Sequence, residues 1–185
     1  VIRKILTSVV FACFVGCCFY TVTAVHAWFG QVWNPAQYQG LDATAYLETT
    51  FPEDAAAIRW LNEHVTGDPV ILEANGDSYS DYERVSAMTG LPTVLGWYVH
   101  EWLWRGDTGA LNERAQEVEA IYTSTNQEEV KKLLEKYQVR YIFVGARERE
   151  KYTALNESML QSLGNIVFSD EQSQTYVLQV AFSGQ

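Results

Sequence analysis

Residues 69–106 read PVILEANGDSYSDYERVSAMTGLPTVLGWYVHEWLWRG. The stretch opens on Pro69 to Ala74, a short continuous apolar run bounded by turn residues, and that pattern predicts a buried strand. A long segment follows, Glu73 to Gly106, punctuated by Gly76, Gly90, Pro92, Gly96 and Gly106. Connections of this length in compact domains are functional or disordered. Trp97, Trp102 and Trp104, with the Val and Leu residues between Val94 and Trp104, are expected to seek burial, which speaks against disorder. Within the segment, Asp81 to Met88 is expected as a short helix and Pro92 to Gly96 as a short strand.

Upstream, Pro52 and two acidic residues open a helix over Glu53 to Val65, as the helix dipole favours. Its apolar face is Ala57, Ile58, Leu61 and Val65. Downstream, Asn112 to Tyr122 and Gln127 to Tyr137 predict two helices, with Thr125 or Asn126 as the cap of the second. Val139 to Gly145 (VRYIFVG) is rich in β-branched and aromatic residues and is the strongest strand signal in the chain. A charged helix is expected over Arg147 to Leu163. Ile166 to Phe168 and Tyr176 to Val180 then form a hairpin around Asp170 to Ser173. Strands alternating with helices predict an α/β sandwich with a mixed, mainly parallel sheet and an antiparallel hairpin at its C-terminal edge.

Ile5 to Phe29 contains no Asp, Glu, Lys or Arg and would reach roughly 37 Å as a helix, enough to cross a bilayer core. Arg3 and Lys4 precede it, and Trp28 and Trp33 follow. This asymmetry orients the N-terminus toward the cytoplasm and the rest of the chain outside. A cleaved signal peptide, a lipoprotein box at Val15-Gly16-Cys17 and a buried helix are the alternatives, although the apolar run continues well past Cys17. The expected organisation is a transmembrane helix over 1–30, a connector over 31–52 with a helical turn or two at Leu41 to Leu47, and an extracytoplasmic α/β domain over 53–185. A chain that begins with Val is expected to be the last piece of a longer polytopic protein, or to have had its start codon read literally.

With 13 Lys and Arg against 23 Asp and Glu, the net charge is −10, which argues against nucleic acid as a partner. Cys13, Cys17 and Cys18 all lie in the apolar run, leaving none for a disulfide or metal site in the rest of the chain. No phosphate-binding glycine loop, nucleophile elbow or metal-spaced cluster appears, so neither a catalytic residue, a metal nor a cofactor is assigned. Arg147 to Lys151 reads as a solvated helix start with local ion pairs. Asn156-Glu157-Ser158 matches the glycosylation triplet inside a predicted helix.

Two groups within the long segment suggest binding. Ligands of open α/β sheets sit beyond the carboxyl ends of strands, where Glu73, Asp77, Ser78 and Tyr79 would fall. Trp97, His100, Glu101, Trp104 and Arg105 supply flat apolar faces, proton-transfer groups and a cation able to grip phosphate or carboxylate. An internal network of the same residues, with Arg105 pairing Glu101 or Glu73, is the competing reading.

Five runs carry a resemblance: LDATAYL (Leu41 to Leu47), AIRWLNEHV (Ala57 to Val65), Val70 to Gly106, IYTST (Ile121 to Thr125) and KYQVRYIFVGAREREKY (Lys136 to Tyr152). Together they resemble the C-terminal part of the YYY family of large, polytopic membrane proteins, most distinctively in TGLPTVLGW, HEWLWRG and YIFVG. That family looks like the integral-membrane C-type glycosyltransferases, which use lipid-phosphate-linked sugars. The resemblance implies a last span plus an extracytoplasmic domain that helps bind a lipid-linked sugar, with membrane lipid and the upstream span-bearing part as partners. Such enzymes keep their catalytic carboxylate in an early external loop, which this chain lacks, so this piece is not expected to catalyse transfer alone. The alternative is a non-catalytic, membrane-anchored interaction module of the cell envelope.

Overall fold

A computed structural model describes residues 1–30, 36 and 46–181. The chain divides into two compact units, Val1–Ala45 and Tyr46–Gln185. Trp33 and most of the expected connector, including the turn at Leu41 to Leu47 up to residue 45, lie outside the described residues.

The first unit carries α1, Ile2–Phe29, a single helix of 28 residues. Its segment Ile2–Trp28 is, by length and composition, apolar enough to cross a membrane. Gly30 ends it in a positive-φ conformation and donates to the His26 carbonyl.

The second unit is α/β. Leu47–Thr50 forms α2 and Pro52–His64 forms α3, with Pro52 at the first helical position. Asp54, Ala57, Ile58 and Leu61 are buried at helical spacing, and Val65 is the extended residue that ends the helix. Val70–Leu72 is β1; Arg84–Thr89, Tyr98–Arg105 and Gly109–Thr123 are α4, α5 and α6. Gln127–Lys136 is α7, capped by the Asn126 side chain accepting the Glu129 N–H. Val139–Val144 is β2, Ala146–Lys151 is α8, Glu157–Gln161 is α9, and the hairpin strands are β3, Gly164–Ser169, and β4, Tyr176–Val180.

The four strands form one mixed sheet in the order β1-β2-β4-β3. Parallel pairing joins β1 to β2 and recurs at the Ile71–Thr93 bridge, while β2–β4 and β3–β4 are antiparallel. The parallel share is therefore confined to one edge, because the returning hairpin places β4 in the interior. The expected strand at Pro92 to Gly96 contributes only that bridge, with the Ile71 N–H donating to the Pro92 carbonyl. The long helix expected over Arg147 to Leu163 is two short ones. The chain leaves helical geometry at Tyr152, which is buried and stacks on Tyr122 at 4.7 Å, and restarts where Asn156 accepts the Met159 N–H. That side chain also donates to the Ser124 carbonyl, so the glycosylation triplet holds a structural cap.

Alternation along the strands builds two cores. Ile71, Phe143 and Val177 join α3 and α4 residues such as Ile58, Leu61 and Val85 on one face. Leu72, Ile142 and Leu178 join Val118, Ile121, Leu134 and Leu160 from α6, α7 and α9 on the other. Each fully buried Leu or Ile stabilises the fold by about 1.5–3 kcal/mol.

Candidate functional site

Because β1 and β2 run parallel, their carboxyl ends lie together, and Tyr122 Oη ties them by donating to the carbonyls of Leu72 (3.3 Å) and Phe143 (2.9 Å). A ligand crevice is expected beyond such ends. Here the chain's own side chains occupy that position. The Arg84 guanidinium reaches Asp54 Oδ2 through Nε (2.5 Å) and Glu148 Oε2 through Nη2 (3.2 Å), with all three side chains buried. Glu148 also accepts the N–H groups of Ala74 (3.0 Å) and Gly145 (2.9 Å), and Thr175 donates to Asp54.

Glu73 belongs to this interior. Its two oxygens accept the N–H groups of Val85 (2.8 Å) and Ser86 (2.7 Å) at the start of α4, and it is 1% exposed. Expected at an open crevice, it instead caps a helix beneath the surface, because the amides there need an acceptor. Burial raises its pKa to about 7. Glu83, which sits at a left-handed φ of 59°, accepts the Gly76 N–H through one oxygen and leaves the other buried without a partner. Burial pushes its pKa up to about 8, with the nearby Glu73 charge acting in the same direction. Four carboxyls (Asp54, Glu73, Glu83, Glu148) thus face two cations, Arg84 and the half-buried Lys151. Neutrality is reached when two carboxyls hold protons, and the raised Glu73 and Glu83 are the two suited to it. Lys151 donates to both oxygens of Asn75, which also accepts from Tyr152 Oη (3.1 Å).

A second assembly lies at the surface, and it gathers most of the other expected residues. Tyr79 is 84% exposed yet held at a φ of 60°, with its ring 5.5 Å from Trp97 and 5.1 Å from His100. Trp97 and His100 complete the triangle at 5.3 Å. Two of its corners are pinned by polar contacts. Trp97 Nε1 donates to the Tyr82 carbonyl (3.1 Å), and His100 Nδ1 lies 2.7 Å from Ser78 Oγ. Exposed Asp77 accepts the Ser78 N–H (2.8 Å) and supplies the backbone carbonyl that holds Ser80. Strained, solvent-facing residues held by their surroundings are a feature of ligand sites.

The remaining expected residues ride on α5. Glu101 accepts the Gly96 N–H (3.2 Å) with one oxygen and pairs Arg105 Nε with the other, four residues along the helix. Trp104 stands 86% exposed, without a ring contact among the described residues. The helix has no buried residue, with Trp102 44% and Leu103 69% exposed. The burial expected for these Trp and Leu residues fails: α5 is attached at its start, where the Tyr98 N–H reaches Gly76 and Tyr98 Oη reaches Asn112.

Arg84, Asp54 and Glu148 carry no local signal in sequence, being 30 and 64 positions apart in their pairings. The expectation that residues 147–151 form a solvated run is corrected for Glu148, which is 0% exposed. Its place three residues after Gly145, where a side chain can reach back to the amide before a helix, was the readable clue.

The chain is an apolar N-terminal helix followed by an α/β domain with a four-stranded mixed sheet. No family model matches it, and no curated protein matches it. Among solved structures it is similar to the C-terminal globular domain of an oligosaccharyltransferase from Archaeoglobus fulgidus, with a TM-score of 0.44 and 12% identity over 70% of this chain and 97% of that one. At that level the likeness assigns no function.

Proposed function

We propose that this chain is the extracytoplasmic, membrane-anchored accessory domain of a sugar-transferring membrane enzyme. In this reading the domain spans 53–185, α1 is the anchor, and Tyr79, Trp97 and His100 form a docking surface for the sugar of a lipid-phosphate-linked saccharide. The carrying observation is the aromatic triangle at the surface, with Tyr79 exposed and Trp97 and His100 half-buried: flat π-faces stack on the apolar faces of sugar rings, and Asp77 and Ser78 beside it offer polar partners for sugar hydroxyls. Arg105, paired to Glu101 on the following turn, is the group suited to a phosphate. The side of the membrane rests on Arg3 and Lys4 preceding α1, and the enzyme class on the sequence resemblance to the YYY family. No catalytic residue is assigned to this piece.

The test is titration of the full chain in detergent micelles with a lipid-pyrophosphate-linked oligosaccharide and with the free oligosaccharide. Binding of both is expected, tighter for the first, with Tyr79→Ala and His100→Ala abolishing it at an unchanged thermal midpoint and Arg105→Ala weakening only the phosphate-bearing ligand. Saturable binding that ignores Tyr79→Ala would remove the site. No binding at all would favour the interaction-module reading.

A further inference from the structure

We infer that the exposed face of α5, formed by Trp102, Leu103 and Trp104, seats in the headgroup region of the lipid bilayer. This goes beyond sugar docking and uses other side chains. A soluble surface rarely leaves a Trp-Leu-Trp run uncovered, and these residues are 44%, 69% and 86% exposed. Trp combines a large apolar body with an N–H, and among the described residues neither indole N–H has an acceptor; lipid carbonyls and phosphates supply one.

Three observations favour a bilayer over a protein partner. The same chain carries α1, and the stretch between Gly30 and Tyr46 can extend at most about 55 Å, so a membrane spanned by α1 is always within reach. The three side chains offer roughly 400 Å² of surface, about half of what each partner of a standard protein interface contributes, yet ample for a contact already tethered. The charges of α5, Glu101 and Arg105, neutralise each other, and the protein carries −10 overall. Zwitterionic lipid therefore suits the face, and anionic lipid adds nothing to it.

The test uses the full chain reconstituted in phosphatidylcholine vesicles, with Cys13, Cys17 and Cys18 replaced by Ser and a nitroxide attached at Leu103→Cys. Gln172→Cys, in the exposed turn of the hairpin, is the reference position. Expected is a several-fold higher ratio of oxygen to nickel-chelate collisions at 103 than at 172, corresponding to a depth of about 5–10 Å. Replacing both Trp102 and Trp104 by Ala should bring the ratio at 103 down to that at 172. Equal ratios in the parent chain would overturn the inference. So would label–label broadening at 103, the mark of a second copy on this face, or a ratio that rises only when phosphatidylserine is added.

Discussion

Arg84 and Glu148 stand sixty-four residues apart and meet through Nη2 and Oε2 at 3.2 Å, with side chains 2% and 0% exposed. With Asp54 on α3 as the second partner of Arg84, the pair joins α3, α4 and α8 across the carboxyl ends of β1 and β2. Removing one member leaves an uncompensated buried charge. Arg84→Ala and Glu148→Ala should each lower stability by about 3–5 kcal/mol. Lys131→Ala, breaking a surface pair with Glu128, should move the denaturation midpoint little. Comparable effects at the two places would show that the interior pair does not hold the fold.

Stability should fall as pH rises through neutrality. Burial lifts Glu73 to about 7 and Glu83 to about 8 from an ordinary 4.5, so the folded form retains protons that the unfolded chain releases. Their contribution is complete below the unfolded value and is lost as pH passes the folded values, at about 1.4 kcal/mol per pH unit per group. Denaturation midpoints measured from about pH 5 to about pH 8 should decline, and Glu83→Gln should flatten that decline. A midpoint that climbs over this range would contradict ionisation in the interior.

Gly145, between β2 and α8, has no room for a side chain. A Cβ there would lie 2.6 Å from Asp54 Oδ1 and 2.9 Å from Phe143 Cε1, both buried and fixed. Gly145→Ala should cost about 1–3 kcal/mol through forced movement of its neighbours. Thermal melting of the full chain checks this; an unchanged midpoint would show that Asp54 shifts freely.

Sidedness is open to a direct measurement. With the three native cysteines replaced, Gln172→Cys should react with a membrane-impermeant maleimide in intact cells. Labelling only after lysis would place the α/β domain on the cytoplasmic side and overturn the orientation taken from Arg3 and Lys4.

The elements with a strong period were legible in sequence. Ala57, Ile58 and Leu61 announce the buried face of α3, and Val139 to Val144 announces β2. The hairpin was legible too, because Asp170 to Ser173 separates two strand-forming runs. The α5 helix was not, since its large apolar residues suggested burial while its helix signals, the Glu101–Arg105 spacing and the left-handed cap Gly106, are modest. Of the expected site residues, Tyr79, Trp97 and His100 converge, whereas Glu73 is withdrawn. That withdrawal depends on which amides α4 presents, a tertiary fact that no window around residue 73 contains.

The strand nearest the C-terminal end, β4, lies inside the sheet and not at its border, bonded to β2 on one side and β3 on the other. During synthesis, β2 therefore waits with one edge open until residues 176–180 have left the ribosome or crossed the membrane. A nascent domain short of those residues shows an unpaired strand to its surroundings. Chains truncated before Tyr176 should be substrates for chaperones and proteases, so completion of this domain hinges on its last strand and not on its first.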